Sequence, residues 1–146
     1  MLADHFERIA VISLPARSER RLRLGTHLQK RRLAQDSDIT WFNAVNGHQA
    51  QLPIWWKAGP GGWGCHQSQL QLIREARKDK LHNLLILEDD VIFHQDTARQ
   101  LPRYLDSLPN DWMQFYLGGQ HLVPPLPTEH PHLLRARNIN RTHAYA

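Results

Sequence analysis

The sequence is poor in the features that mark secreted, membrane-spanning and zinc-binding proteins. Cys65 is the only cysteine among 146 residues, so no disulfide can form within the chain, which favours a reducing compartment. No apolar run approaches the roughly 18 residues that a membrane-spanning helix needs. Met1–Leu14 has acidic residues and a short apolar run, unlike a secretory signal, and there is no HExxH motif or cysteine pair at zinc-finger spacing. We therefore expect a cytoplasmic protein without structural zinc, with peripheral attachment to a membrane surface as an alternative.

The chain nevertheless has enough apolar residues for one domain, and it carries an excess of positive charge. Hydrophobic residues make up 41% of the sequence, which is enough to build a core over residues 1–146. The net charge of +4 suits an anionic partner such as nucleotide phosphate, nucleic acid or an acidic membrane surface. Nucleic acid is the weakest of these hypotheses, because the aromatic residues are not interleaved with the basic ones as a base-stacking surface requires. We expect no nucleic-acid partner.

The order of strand-like and helix-like segments predicts an α/β fold. Strands are expected at Ile9–Leu14, Ile39–Val45, Leu84–Phe93 and Trp112–Leu117, and helices at Ser18–Leu33, Cys65–Asp79 and from Thr97 or Leu101 to Leu108. Glycines and prolines predict loops at Asn46–Gly64 and Val123–His132, and an end of the last strand at Gly118–Gly119. This order predicts a mostly parallel sheet flanked by helices, with ligands bound at the carboxyl ends of its strands.

Three consecutive carboxylates follow the apolar run Leu84–Leu87. Burying unpaired charge is costly, so Glu88, Asp89 and Asp90 should emerge where a cation or hydrogen-bond donors meet them. Side chains alternate along a strand, so Glu88 and Asp90 should point to one side and Asp89 to the other. One side could hold Mg²⁺ or Mn²⁺, which prefer hard oxygen ligands, while Asp89 anchors a loop or a ribose hydroxyl. The alternative is that the carboxylates are solvated or paired with arginines.

Arginines follow the first predicted strand and should lie at the same edge of the sheet. Arginine donates several hydrogen bonds in a planar fork that fits phosphate, and a helix start adds free backbone N–H groups. Arg17 and Arg20, at the strand-to-helix turn, are the candidates to hold a diphosphate. Arg23, Arg31 and Arg32 fit a solvated helix face better.

A glycine-rich segment leads into the second predicted helix at Gly64. It allows close backbone approach to a ligand, and His66 and Ser68 could reach that ligand or only cap the helix. Cys65 falls on the apolar stripe of this helix and fits a small core residue better than a nucleophile, because no partner base is evident. The nearby tryptophans could stack on sugar rings or fold inward to fix the loop; they are Trp55, Trp56 and Trp63.

Ten histidines are present, and four of them cluster late in the chain, at His121, His130, His132 and His143. Their spacing does not match a zinc motif, so they do not predict a structural zinc site. A single histidine among them could still complete the carboxylate site.

Four segments, matched in order and spacing, resemble glycosyltransferase family 25, which contains lipooligosaccharide-biosynthesis transferases and procollagen galactosyltransferases. They are Ile9–Arg21, Phe42–Gly47, Gly62–Ser68 and Leu84–Phe93, followed by the weaker Asp111–Gly119 and Thr142–Ala146. The resemblance covers nearly the whole chain. It is specific because the acidic strand and the Gly-x-Gly-Cys-x-x-Ser helix start occur together.

The resemblance implies a nucleotide-sugar-binding domain of the GT-A type, which is Rossmann-like. It also implies transfer of a hexose, often galactose from UDP-galactose, to a hydroxyl of a glycan such as lipooligosaccharide, with Mn²⁺ or Mg²⁺ as cofactor. By position, the implied metal ligands are Asp90, the first choice, and Glu88. The implied donor-binding residues are Arg17, Arg20, Asn46, Gly64, Cys65, Ser68 and Asp89. The cytoplasm, or the cytoplasmic face of the inner membrane, is then the expected location.

The sequence departs from the family pattern in three places. Asn46 stands where the family usually has aspartate, and Gln69 stands where a histidine is common. Family members generally continue well past Thr142–Ala146, so we expect a C-terminally truncated domain. The alternative function is therefore a catalytically inactive domain that binds a nucleotide sugar or a glycan.

Overall fold

A computed structural model describes residues 1–146 as a mixed five-stranded sheet with three α-helices and a separate two-stranded sheet. The strands are β1 (Ile9–Ser13), β2 (Ile39–Asn43), β3 (Leu85–Glu88), β4 (Tyr116–His121), β5 (Leu126–Pro127), β6 (Leu134–Arg135) and β7 (Ile139–Tyr145). The α-helices are α1 (Ser18–Lys30), α2 (Gly59–Lys78) and α3 (Thr97–Asp106). Short 3₁₀ helices lie at Leu2–Asp4, Asp36–Asp38 and Gly47–Gln49. None of the helices combines the length and the apolarity that crossing a bilayer requires.

The main sheet has the strand order β2-β1-β3-β7-β4. β1 pairs in parallel with β2 and β3, whereas β7 pairs antiparallel with β3 and β4. The predicted α/β class and the parallel arrangement of the first three strands are confirmed. β7 was not predicted, because Ile139–Tyr145 has no apolar run, and it becomes a strand by pairing with its two neighbours in the sheet.

Helices cover both faces of the main sheet. On one face, Leu28 of α1 and Leu101 of α3 join Leu87 in a cluster of 14 buried residues. On the other face, Leu72 of α2 packs in a second cluster with Ile86. β3 is therefore buried from both sides, which explains its unbroken apolar sequence.

The strand predicted at Leu84–Phe93 is wrong beyond Glu88. The parallel register with β1 ends where Ile12 pairs with Glu88. Asp89–Asp90 then forms a turn, in which the backbone N–H of Val91 donates to the carbonyl of Glu88 at 3.2 Å. The three carboxylates contact side chains of β1, α1 and β7, as described below.

α2 begins at Gly59 rather than at Cys65, so the predicted loop Asn46–Gly64 is shorter than expected. Pro60 lies in the first turn of α2, where a backbone N–H would have no helical partner, so proline costs the helix little there. The sequence did not predict this helix start, because glycine has a low intrinsic helix propensity and a glycine-rich segment resembles a loop.

Close backbone contact explains two of the glycines around the start of α2. A Cβ on Gly64 would lie 2.3 Å from the carbonyl oxygen of Val45, and a Cβ on Gly47 would lie 1.8 Å from that of Pro60. Only glycine allows α2 to pack this closely against the 3₁₀ helix Gly47–Gln49.

α3 runs from Thr97 through Pro102, so the alternative helix start at Leu101 is wrong. Pro102 has no N–H to donate to the preceding turn, which weakens the helix. Leu101 is buried in the core cluster, and this packing offsets the missing hydrogen bond.

β4 begins later than the predicted strand Trp112–Leu117 and passes through Gly118 and Gly119 instead of ending there. A Cβ on Gly119 would lie 2.6 Å from Cγ2 of Ile139 on β7, so close packing between strands accounts for this glycine. The predicted loop Val123–His132 also differs, since it contains β5.

Candidate active site

Two carboxylates and an imidazole form a cluster where β3 ends. Glu88 is the last residue of β3, Asp90 lies in the following turn, and His143 lies on β7. One potential ligand atom from each of the three lies within 4.8 Å of the others. His143 Nδ1 is 3.1 Å from Oε2 of Glu88 and 3.8 Å from Oδ1 of Asp90. We call these three residues the Glu88–Asp90–His143 cluster.

The chemistry of this cluster fits a divalent cation. Carboxylate oxygens suit both Mg²⁺ and Mn²⁺, and the imidazole nitrogen favours the transition-metal ion of the two. The side chains of Glu88, Asp90 and His143 are 24%, 45% and 38% exposed, so an ion held there would keep positions open to water or phosphate.

Hydrogen bonds from β7 and α2 fix the orientation of the Glu88 carboxylate. Its Oε1 accepts a hydrogen bond from Oγ1 of Thr142 at 3.1 Å and a weak one from Sγ of Cys65 at 3.7 Å. Gln69 of α2 donates in turn to Oγ1 of Thr142 at 2.7 Å and to Sγ of Cys65 at 3.3 Å. These contacts occupy Oε1 and leave Oε2 directed at His143.

Burial, together with the negative charge of Glu88, raises the pKa of the Cys65 thiol to about 11. The thiol is therefore protonated at neutral pH, and a nucleophile would need the thiolate. Cys65 supports the carboxylate of Glu88 rather than reacting.

Asp89 points away from the cluster and is tied to α1 and β1. Its side chain is 7% exposed, and it accepts hydrogen bonds from Oγ of Ser13 at 2.8 Å and from Nη1 of Arg20 at 3.0 Å. Nη1 of Arg20 also lies 3.4 Å from Oδ2 of Asp90. The hydrogen bond to Asp89, together with the charges of both aspartates, raises the pKa of Arg20. The alternative in which the carboxylates pair with arginines therefore holds for Asp89 and partly for Asp90.

The other arginines at this edge differ in their surroundings. Arg17 precedes α1 and is exposed, with no ion pair or side-chain hydrogen bond. Arg21, which the sequence did not single out, donates to the carbonyl of Ser13 at 2.9 Å and to Oδ1 of Asn43 at 2.7 Å. Arg21 thus links the ends of β1 and β2, while Arg17 is free to meet a ligand.

Three of the sequence-predicted donor residues, Asn46, Gly64 and Ser68, form hydrogen bonds in and around the segment that joins β2 to α2 rather than with the cluster. Ser68 is fully buried; its Oγ accepts a hydrogen bond from the backbone N–H of Val45 at 2.8 Å and donates to the carbonyl of Gly64 at 2.6 Å. Oδ1 of Asn46 accepts from the N–H of His48 at 3.1 Å and caps the 3₁₀ helix. These contacts brace the segment between β2 and α2.

Aromatic rings gather at the start of α2 in a group that we call the tryptophan cluster, made of Trp55, Trp56, Trp63 and His66. The three indole rings pack edge to face, with centroids 5.0 to 6.0 Å apart. His66 stacks on Trp56 at 5.5 Å. Trp56 is half-buried and donates from Nε1 to the carbonyl of Gly59 at 2.8 Å, whereas Trp55 is exposed. Trp56 therefore folds inward and Trp55 does not.

A large groove lies apart from the cluster, between α3, the segment Trp112–Gly119 and the β5–β6 pair. Its volume is about 1030 Å³, and none of its lining residues belongs to the Glu88–Asp90–His143 cluster. The groove and the cluster are therefore separate features of the molecule.

Sequence reasoning assigned no role to Thr142 or Gln69 and did not choose among the four late histidines. His143 is the one of those four that contacts the carboxylates. Its position next to Thr142, in a segment matched by the family resemblance, was the available signal. The contact depends on β7, which the sequence pattern did not predict.

The comparison with known proteins identifies the family of the chain. The sequence model described as glycosyltransferase family 25 (LPS biosynthesis protein) matches residues 6–123, which is more than half of the chain. The chain belongs to glycosyltransferase family 25. The match to family 25 includes Arg20, Glu88 and Asp90, whereas His143 lies outside the matched residues.

A relative named procollagen galactosyltransferase 2, from Mus musculus, is 26% identical to this family 25 chain. The alignment extends over 137 residues and covers 80% of this chain but 21% of the relative. The chain thus spans about a fifth of the length of that relative.

Proposed function

We propose that this family 25 domain transfers a hexose from a nucleotide sugar to a hydroxyl group of a glycan. The observation that carries this proposal is the Glu88–Asp90–His143 cluster at the carboxyl end of β3, beside an arginine-bearing helix start. Galactose from UDP-galactose is the proposed donor group, in line with the name of the mouse relative. A lipooligosaccharide is the proposed acceptor, in line with the description of the family.

Glu88, Asp90 and His143 are the residues that would hold Mn²⁺ or Mg²⁺. A bound divalent ion would neutralise the negative charge of the departing diphosphate. Thr142 fixes the Glu88 carboxylate, and Arg20 holds Asp90 from the other side, so both carboxylates are oriented before an ion binds. Such orientation lowers the cost of assembling the site.

The start of α1 is the proposed place for the diphosphate. The first N–H groups of a helix have no partner within it, and α1 follows directly from the exposed Arg17. Arg20 would contribute to this site by holding Asp89 and Asp90 in position. The opposite wall of the donor site would be shaped by Asn46, Gly64, Cys65 and Ser68. Of these, Ser68 is buried and Cys65 supports Glu88.

The proposed location is the cytoplasm or the cytoplasmic face of the inner membrane, where lipid-linked glycans would be accessible. The proposed partners are therefore a nucleotide sugar and a glycan, without nucleic acid. The excess of positive charge would favour an anionic donor and an anionic membrane surface.

Calorimetric titration with UDP-galactose, with and without Mn²⁺, tests the proposal. We expect binding to require the ion and to weaken at least about tenfold in Asp90→Asn, because one of three ligands loses its charge. Asp106→Asn, which makes the same change at an exposed site on α3, should bind as the unaltered protein does. Equal Mn²⁺-dependent binding by Asp90→Asn and the unaltered protein would contradict the assignment.

A second measurement separates a transferase from a domain that only binds. Release of UDP from UDP-galactose by the purified chain, in the presence of Mn²⁺ and a glycan acceptor, would establish turnover. Binding without any release of UDP would favour the alternative of a catalytically inactive domain.

A further inference from the structure

We propose that the tryptophan cluster is a stacking platform for a sugar ring of the acceptor glycan, with Trp55 as its contact face. This inference rests on the proposed function and assigns the acceptor to a particular surface. The occupant is a pyranose ring, whose C–H groups form an apolar face bordered by hydroxyl groups.

Trp55 is held in position although it is exposed. Its side chain is 65% exposed, and its ring packs edge to face against Trp56 and Trp63, with both centroids at 6.0 Å. Trp56 is itself fixed by its hydrogen bond to Gly59. An aromatic ring supported on two sides and open on another loses little conformational freedom when a ligand stacks on it.

The platform is continuous with the Glu88–Asp90–His143 cluster along the surface of α2. Trp63, His66 and Gln69 follow one another at intervals of three residues, so each side chain neighbours the next. Trp63 and Gln69 are separated by about 9 Å along the helix axis. Gln69 donates to Thr142, and Thr142 donates to Glu88. A glycan on Trp55 would therefore extend toward the carboxylates.

The side of the sheet favours a sugar of the acceptor over the diphosphate of the donor. Arg20 approaches the carboxylates from α1, which is the proposed side for the diphosphate. The tryptophan cluster approaches from α2, on the opposite face of the sheet, where Cys65 contacts Glu88. The two substrates of a transfer reaction must meet at one point, and these two approaches converge on Glu88 and Asp90.

Chemistry distinguishes this surface from a general apolar patch. Ile54 is 94% exposed and offers only aliphatic contact, whereas the indole of Trp55 offers a flat face that matches the C–H face of a pyranose. His66, stacked within the cluster, provides polar ring nitrogens for sugar hydroxyl groups.

Titration of soluble disaccharides into the unaltered chain and three variants tests the platform. Lactose, cellobiose and maltose serve as probes, with UDP-galactose and Mn²⁺ titrated separately. We expect Trp55→Ala to weaken disaccharide binding about tenfold, since stacking of one ring accounts for a factor of this size. Trp55→Phe should restore part of the affinity, and Ile54→Ala, the matched control, should leave it unchanged. All three variants should bind UDP-galactose with Mn²⁺ as the unaltered chain does.

Several results would overturn the platform. The first is that the unaltered chain binds no disaccharide, and the second is that Trp55→Ala binds disaccharides with the same affinity as the unaltered chain. The third is that Trp55→Ala loses UDP-galactose binding, which would assign the ring to the donor base. The chain could instead bind vesicles that contain phosphatidylglycerol, with Trp55→Ala and Ile54→Ala weakening this binding equally. That result would assign the surface to a membrane and would also overturn the platform. Failure of the unaltered chain to bind UDP-galactose contradicts the proposed function instead, because it concerns the other side of the site.

Discussion

The three consecutive carboxylates have different partners, and the differences follow from single contacts. Asp89 is buried and paired with Ser13 and Arg20, so its role is to hold the turn. Glu88 is held by Thr142. The neighbouring Asp90 is the most exposed of the three acidic side chains, which leaves it accessible to an ion or a ligand.

Loss of Arg20 should destabilise the fold. Arg20→Ala leaves the carboxylate of Asp89 buried with one partner removed, and we expect the free energy of unfolding to fall by about 1–3 kcal/mol. Arg23→Ala, on an exposed part of the same helix, should change it by less than about 0.5 kcal/mol. Urea denaturation of both variants measures the difference. Equal stabilities would mean that the contact between Arg20 and Asp89 contributes nothing.

His27 should make stability depend on pH. Its burial, with the charges of Arg31 and Lys30, lowers its pKa below 6.5, and its Nε2 accepts a hydrogen bond from the N–H of Phe93 at 2.9 Å. The unfolded chain therefore binds the proton more readily, so stability is full above pH 6.5 and falls as the pH drops through the folded pKa. His27→Gln should lose less stability than the unaltered protein between pH 7 and pH 5. Parallel curves of unfolding free energy against pH for the two proteins would contradict this.

Among the elements, α2 does most to connect the parts of the site. Its first turn packs on the 3₁₀ helix Gly47–Gln49, its middle buries Leu72 on the sheet, and Gln69 reaches across to β7. The glycine-rich sequence of its start resembles a loop, but close packing requires glycine at Gly64.

Two glycines of α2 should respond to alanine with opposite signs. Gly64→Ala would place a Cβ 2.3 Å from the carbonyl oxygen of Val45, so α2 must shift, and we expect a loss of at least about 2 kcal/mol. In Gly61→Ala the added Cβ has no neighbouring atom within 4 Å, so this substitution should stabilise the helix by about 0.5–1 kcal/mol. Thermal unfolding of both variants compares them directly. A stabilising Gly64→Ala would contradict the close approach of α2 to Val45.

Considered as a whole, the molecule brings its candidate site together from elements distant in sequence. β3 supplies Glu88, the turn after it supplies Asp90, β7 supplies His143 and α2 supplies the supporting Gln69. The chain spans about a fifth of the length of the mouse relative.

The sequence predicted the central features that depend on local pattern. The apolar runs identified β1 and β3, and their order gave the parallel arrangement with β2. Glu88 and Asp90 do lie together, although a turn after β3, and not alternation along a continuous strand, brings them there. The motif Gly62–Ser68, with the acidic strand, predicted the family.

The pattern of residues was thus enough to predict the α/β class, the family and the proximity of Glu88 and Asp90, because periodicity and contiguous motifs are local properties. The roles of His143 and Thr142 were not accessible in this way. They lie 55 and 54 residues from Glu88, and they meet it only because β7 pairs antiparallel with β3. Such pairing is fixed by packing between distant segments, so the chain must fold before these groups can be recognised as one site.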